Sequence, residues 1–238
     1  MRYPIFFSLI SIPVYLLLYV FTAIIVVFIM LFSIFSIRKL VRFASFFWGK
    51  FIFVLMLKKL KINGLENIDK NKKYILVANH ASLFDIPAIM SFYPNVAWFG
   101  REYLLKIPLF GNALKQIGYI PMKTANVKNT KVMLQQLVQQ SDSGTIAMFP
   151  EGTRTKNNQL QRFHRGFIQL MKTSELDILP VTLNGFFELK PKIRTAINFS
   201  AKLELTIHEP FSYNVLVEKS DEEIIGLVKS KIESALRQ

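Results

Sequence analysis

The first third of the chain is dominated by one uninterrupted apolar stretch: residues 3–37 carry no charged side chain. A helix that crosses the hydrocarbon core of a bilayer needs about 20 apolar residues. Residues 14–37 alone would reach about 36 Å as a helix. Two layouts fit the pattern. One is a single tilted span from about Val14; the other is a helical hairpin that enters one leaflet and returns. Pro4 and Pro13 suit the starts of helices or a break between them. The stretch is too long for a cleaved signal peptide, and no small-x-small site precedes Arg38-Lys39. Residues 43–57 are aromatic-rich with Lys50 near the middle. They predict either an interfacial helix on anionic lipid, with Lys50 snorkelling, or a helix packed on the domain that follows.

From Gly64 onward the pattern changes to short apolar runs alternating with helical periodicity. Residues 74–78, 96–99, 145–149, 178–183 and 203–207 predict strands. Val127, Val132, Leu134, Leu137 and Val138 fall at roughly helical spacing before the breaker Asp142-Ser143-Gly144. Ile224, Leu227, Val228, Ile232 and Leu236 form one face of a C-terminal helix, with Asp221 and Glu222 near its N-terminus. The fold class expected is α/β: a central, mostly parallel or mixed sheet covered by helices, with an N-terminal apolar helical membrane anchor. The division expected is an anchor and interfacial helix over residues 1–60 and a globular domain over residues 61–238.

Charge sharpens this picture. The formal net charge is +14. Residues 1–60 hold seven Lys and Arg and no acid, while the remainder sets 23 basic residues against all 16 acidic ones. Such a surplus implies an anionic partner, nucleic acid or a membrane surface. The apolar N-terminus decides for membrane lipids and against nucleic acid. Arg38, Lys39, Arg42, Lys50, Lys58, Lys59 and Lys61 follow the apolar stretch and only Arg2 precedes it, so the positive-inside bias puts the domain on the cytoplasmic face of the cytoplasmic membrane. The chain has no Cys, which excludes disulfides, thiol nucleophiles and thiolate metal sites.

Three constellations carry candidate chemistry. Asn79-His80-Ala81-Ser82-Leu83-Phe84-Asp85 follows the strand over residues 74–78. His80 is a candidate general base, and a carboxylate on its second nitrogen would fix the tautomer. Five residues along one helix turn through about 500°, so the two side chains would point about 140° apart. They meet only if His80 lies in the strand-to-helix turn and Asp85 at the helix start, which Pro87 in the first turn supports. Taken alone, Asp85 serves equally well as an N-cap or as the third position of a capping box begun by Ser82. Phe149-Pro150-Glu151-Gly152-Thr153-Arg154-Thr155 follows another strand, where open α/β sheets commonly hold ligands. Gly152 allows close approach of the backbone, Arg154 offers a planar fork to a phosphate, and Glu151 is placed to orient that arginine or to accept from a hydroxyl. The plain alternative is a charged turn with a Glu–Arg pair. Arg101 through Gly111 adds two cations after a third strand; its plain alternative is a solvated helix face.

Together these residues resemble the glycerophospholipid acyltransferase family, most closely its 1-acylglycerol-3-phosphate acyltransferases. The resemblance covers residues 64–210 and the type of N-terminal anchor. The family's N-H-x-x-x-x-D motif is matched by His80 and Asp85, and its F-P-E-G-T-R motif in full by residues 149–154. Arg101-Glu102 with residues 107–111, the apolar-Pro-apolar run Leu179-Pro180-Val181, and Phe163 to Gly166 match further family positions. One departure stands out: Thr124 occupies the place of a phosphate-binding Arg, so Lys123 or Lys128 is the candidate substitute.

The resemblance implies transfer of a fatty acyl group from acyl-CoA or acyl carrier protein to the sn-2 hydroxyl of lysophosphatidic acid, giving phosphatidic acid. His80 would be the general base and Asp85 its orienting carboxylate. Arg101, Lys123, Glu151, Gly152, Thr153 and Arg154 would bind the acceptor, and backbone amides near the helix start would meet the oxyanion. No G-x-S-x-G motif and no Cys is present, so an acyl-enzyme is not expected. No metal or other cofactor is implied, and His164 and His208 have no ligand-like spacing. The alternatives are acylation of glycerol 3-phosphate or another lysolipid and, in a different class, a non-catalytic lipid-binding protein of the same fold.

Overall fold

The computed structural model describes residues 5–35, 37–107, 110–117, 119–122 and 145–237. The chain opens with α1 (Ile5–Ile34) and α2 (Arg38–Leu55) and then enters the sheet with β1 (Leu60–Asn63) and β2 (Tyr74–Ala78). There follow α3 (Asp85–Met90), β3 (Val96–Arg101), α4 (Phe110–Gln116), β4 (Ile120–Met122), β5 (Thr145–Met148) and α5 (Gly166–Ser174). The last elements are β6 (Asp177–Asn184), α6 (Phe186–Leu189), β7 (Leu203–Ile207), α7 (Tyr213–Leu216) and α8 (Asp221–Glu233). The helix expected near residues 127–138 lies outside the described residues.

The seven strands among the described residues form one mixed sheet in the order β1-β7-β6-β2-β5-β3-β4. From β6 to β4 every pairing is parallel, β7 is antiparallel to β6, and β1 is parallel to β7. All five residues of β2 are buried, as expected of a parallel strand covered on both faces. Its side chains alternate between two cores: Tyr74, Leu76 and Ala78 join the anchor helices, α3, α4 and α6, while Ile75 and Val77 join α5, α7 and α8. The C-terminal helix begins with a capping box in which Ser220 and Glu223 each satisfy the other's backbone N–H.

α1 and α2 fold back on one another as a hairpin, but the apolar stretch itself is one continuous helix, so the turn-back expected within residues 3–37 is not there and the returning arm is α2. Phe21 packs with Phe47 and Phe51, the Trp48 indole donates to Thr22 Oγ1 at 3.1 Å, and Ile25 and Ile29 cluster with Val41 and Ala44. Pro13 lies inside α1 and does not break it. Its missing N–H removes one helical bond, but the helix is docked on either side of it: Ser11 Oγ accepts from Ile197 N at 2.8 Å, and Tyr15 donates to the Thr195 carbonyl at 2.7 Å. α2 starts earlier than the aromatic pattern alone suggested and packs against the sheet domain while keeping an apolar outer face. Gly49 is what allows its approach to α3, since a Cβ there would sit 2.6 Å from the Pro87 carbonyl oxygen. Phe43 and Val54 remain exposed on α2.

Candidate active site

β2 and β5 are parallel neighbours, so the loops that leave their C-terminal ends emerge side by side. The first loop carries His80; α3 then opens at Asp85, with Phe84 as an N-cap that makes no side-chain cap bond. This is the arrangement in which the two residues can meet: His80 Nδ1 lies 2.8 Å from Asp85 Oδ2. The same oxygen accepts from the backbone N–H of Ala81 at 2.7 Å and of Ser82 at 2.8 Å. Asp85 is fully buried. Two of the amides at the helix start are therefore committed to the carboxylate and are not free to meet an oxyanion. Ser82 begins no capping box, because its hydroxyl donates to the Lys190 carbonyl at 2.7 Å.

The second loop holds His80 from the other side. Pro150 and Gly152 occupy the second and fourth positions of a turn closed by Gly152 N–H on the Phe149 carbonyl at 3.0 Å. Gly152 has φ +66°, the left-handed region, and this rather than ligand approach accounts for the glycine. Glu151 does not orient Arg154. Its Oε1 accepts from His80 N at 2.7 Å and its Oε2 from Gln161 N at 3.0 Å, so both oxygens are taken by backbone amides. Burial pushes the Glu151 carboxyl above its ordinary value, against the opposing pull of these two N–H groups. Thr155 N–H donates to the His80 carbonyl at 2.8 Å. The Phe149 ring stacks on the imidazole at 3.9 Å and 10°, and Trp98 stacks on Phe149 at 5.6 Å.

His80 is thus fixed through its N–H, its carbonyl, one ring face and Nδ1. An Nδ1–H directed at Asp85 leaves Nε2 as the proton-accepting atom. Arg154 is half-buried and Thr153 is exposed on the same loop. Arg101 ends β3, on the far side of β5 from β2, so its backbone reaches the same end of the sheet. Lys123, Thr124 and Lys128 lie outside the described residues.

Beside the His80 loop an apolar cavity of about 330 Å³ runs between the anchor hairpin and the sheet domain. Tyr15, Thr22, Ile25, Ser45 and Trp48 line it from the hairpin, and Leu83, Phe84, Pro87, Trp98 and Tyr119 from the domain. Through Trp98 and Phe149 its wall is two ring contacts from the imidazole. Among the described residues no group of three His, Cys, Asp or Glu is placed to hold a metal ion.

Sequence reasoning did not single out Trp98, Gln161 or Lys190. Trp98 and Lys190 arrive through the sheet order, while Gln161 lies farther along the Glu151 loop and acts through its backbone N–H, which no residue type marks.

A family model described as Acyltransferase matches residues 59–184, more than half of the chain. The chain is 26% identical over 175 residues to a chloroplastic 1-acyl-sn-glycerol-3-phosphate acyltransferase of Arabidopsis thaliana, covering 73% of this chain and 49% of that protein. It is 26% identical over 180 residues to a 1-acyl-sn-glycerol-3-phosphate acyltransferase of Borreliella burgdorferi, covering 73% of this chain and 70% of that one. The chain spans about half the length of the plant relatives it matches, 49% and 51% for the Arabidopsis and Brassica napus proteins. The crystal structure of the 1-acyl-sn-glycerophosphate acyltransferase of Thermotoga maritima superimposes with a TM-score of 0.83 at 25% identity, covering 96% of this chain and 95% of that one.

Proposed function

The chain belongs to the acyltransferase family, and from that premise we propose that it transfers a fatty acyl group from a thioester donor to the sn-2 hydroxyl of 1-acyl-sn-glycerol 3-phosphate. The observation that carries this reading is the interlocking of the two motif loops. Glu151 and Thr155 grip the backbone of His80, and Asp85 takes its Nδ1. A lipid-binding module has no use for an imidazole fixed on four sides with one nitrogen left free.

His80 Nε2 takes the proton of the acceptor hydroxyl as that oxygen attacks the thioester carbonyl. Asp85 stabilises the imidazolium. The tetrahedral intermediate collapses with cleavage of the C–S bond, and His80 returns the proton to the departing thiolate. Arg154 and Arg101 hold the acceptor phosphate, while Glu151 and Gly152 shape the loop. The apolar cavity takes an acyl chain; its 330 Å³ lies in the usual range for ligand sites, about 300–1,000 Å³. The donor is acyl-CoA or acyl carrier protein.

Residues 6–34 form one helix long and apolar enough to cross a membrane. We place it in a single leaflet. A crossing helix needs about 20 apolar residues facing lipid, yet α1 touches the domain from Phe7, edge-on to Phe199, to Ile25 and Ile29, which pack near Ile117. Its other face exposes Ile12, Leu16, Tyr19 and Phe28 to lipid.

The test is transfer by the purified full chain. Acyl-CoA and acyl carrier protein are offered against lysophosphatidic acid, glycerol 3-phosphate and a monoacylglycerol. Transfer to lysophosphatidic acid above the other two is expected. No transfer to it from either donor refutes the assignment.

A further inference from the structure

We propose that Lys190 is a third cation of the phosphate clamp, closing on the acceptor phosphate from the flank opposite Arg101 and in concert with Arg154. This rests on the acyl-transfer reading above and adds a residue that neither motif contains.

Lys190 follows α6, which comes off the end of β6, and β6 is the neighbour of β2 on the side away from β5. The strand order therefore brings cations to the His80 loop from both flanks. The Lys190 carbonyl accepts from Ser82 Oγ at 2.7 Å, which ties this segment to the loop between His80 and Asp85. A second tie joins it to the Arg154 loop: Asn158 Nδ2 donates to Glu188 Oε1 at 2.9 Å. Arg194 holds the segment from behind, donating to the carbonyls of Glu188, Leu189 and Ala196.

The electrostatics of this corner are unbalanced. Lys190 and Arg154 are both half-buried, and among the described residues neither makes an ion pair. The nearest carboxylate on the same helix, Glu188, is turned to Asn158. Burial, and after it the charges of Arg154 and Arg194, push the Lys190 ammonium below its ordinary value. Like charges held together without a counter-charge raise the free energy of the empty site, and an anion that bridges them lowers it. A phosphate monoester has the charge and the oxygens to take the Arg154 fork on one edge and the Lys190 ammonium on another.

The test is steady-state kinetics of the full-length Lys190→Ala protein, with Arg154→Ala and the double variant alongside. The Ser82 bond uses the backbone carbonyl of residue 190, so the substitution leaves it in place. The KM for lysophosphatidic acid should rise about 10- to 100-fold, the loss expected of one charge-assisted bond. Donor KM should be unchanged, and Lys190→Arg should recover most of the loss. The double variant should lose less than the product of the single losses, because both cations serve one ligand. An unchanged acceptor KM, or a rise in donor KM instead, overturns the assignment while leaving the acyl-transfer reading intact. Wild-type protein that fails to transfer to or bind lysophosphatidic acid overturns both.

Discussion

Exchanging Asp85 for Asn and His80 for Ala separates the two functions that one carboxylate oxygen performs. Asp85 Oδ2 accepts three bonds, from His80 Nδ1 at 2.8 Å, Ala81 N at 2.7 Å and Ser82 N at 2.8 Å. Bonds to a charged acceptor contribute about 1.5–3 kcal/mol each and neutral ones about 0.5–1.5. If the Asn carbonyl takes the place of Oδ2, the three bonds persist in weakened form, at a cost on the order of 2–4 kcal/mol. The Asn NH₂ then falls where Asp85 Oδ1 lies buried without a partner among the described residues, a further penalty of about 1–3 kcal/mol. A domain in the upper half of the usual range of about 5–15 kcal/mol survives this loss of about 3–7 kcal/mol, with a melting temperature lower by roughly 6–28 °C. His80→Ala is different, because the two backbone amides keep their carboxylate. It loses one bond to that carboxylate, about 1.5–3 kcal/mol, so it should melt roughly 3–12 °C below wild type while transfer falls about 10²–10⁴-fold, the contribution of a positioned general base. Asp85→Asn should lose no more transfer than His80→Ala but more stability. The assays are acyl transfer and thermal denaturation on the same preparations. Near-wild-type transfer by folded His80→Ala would falsify the mechanism.

Three further outcomes are expected. Burial, with a smaller contribution from Lys231, holds the His208 imidazole below its ordinary value, and it is paired with Thr182 Oγ1 at 2.8 Å. The stability it contributes is complete above the unfolded pKa of about 6.5 and is lost as pH falls through the depressed folded value, so His208→Gln should flatten the acid side of a denaturation-midpoint profile; parallel profiles would exclude this. Ser45 is buried on α2 with no partner for its hydroxyl among the described residues, so Ser45→Ala should raise the melting temperature by a few degrees, about 1 kcal/mol of relief; a lowered value would mean that the hydroxyl is bonded. Alkaline carbonate should leave most of the full-length protein in the membrane pellet, and its release would remove the inserted hairpin from the argument.

What the sequence disclosed depended on how local each feature is. β2 and β7 begin and end where the apolar runs do, because central strands are marked by residues that cannot face water. β1 was not foreseen: Leu60-Lys61-Ile62-Asn63 is a short edge strand whose lysine runs out to Glu204 on β7. β4 is three residues long and left no periodic signal. The His80–Asp85 pair was legible because its geometry follows from chain connectivity alone, with five residues spanning a strand end and a helix start. Glu151 was misjudged for the opposite reason. Its partners are two backbone amides, one of them 71 residues away, and a backbone donor has no identity in the sequence. Lys190 was invisible on the same ground, since only the order of strands places it beside Ser82.

That dependence on strand order bears on how the anchor and the chemistry are joined. By composition the chain divides near residue 60, but its packing does not follow that line. Half of the wall of the apolar cavity comes from α1 and α2, and Leu18, Ile52, Phe53 and Met56 share a core with Tyr74, Leu76 and Ala78 of β2. His80 is the second residue after that strand. A displacement of the hairpin is therefore felt at β2 through packed side chains, and interiors packed at crystal-like density have few voids in which to absorb it. On the acyl-transfer reading the hairpin would do more than keep the domain near lipid. Its exposed face would sit among acyl chains while its buried face bounds the cavity that Trp98 and Phe149 connect to the imidazole. An acyl chain leaving the leaflet would pass from one apolar surface to another without crossing water, and each methylene kept out of water is worth about 0.8 kcal/mol. On that reading, membrane seating and positioning of the reacting carbonyl would be two faces of one helix pair.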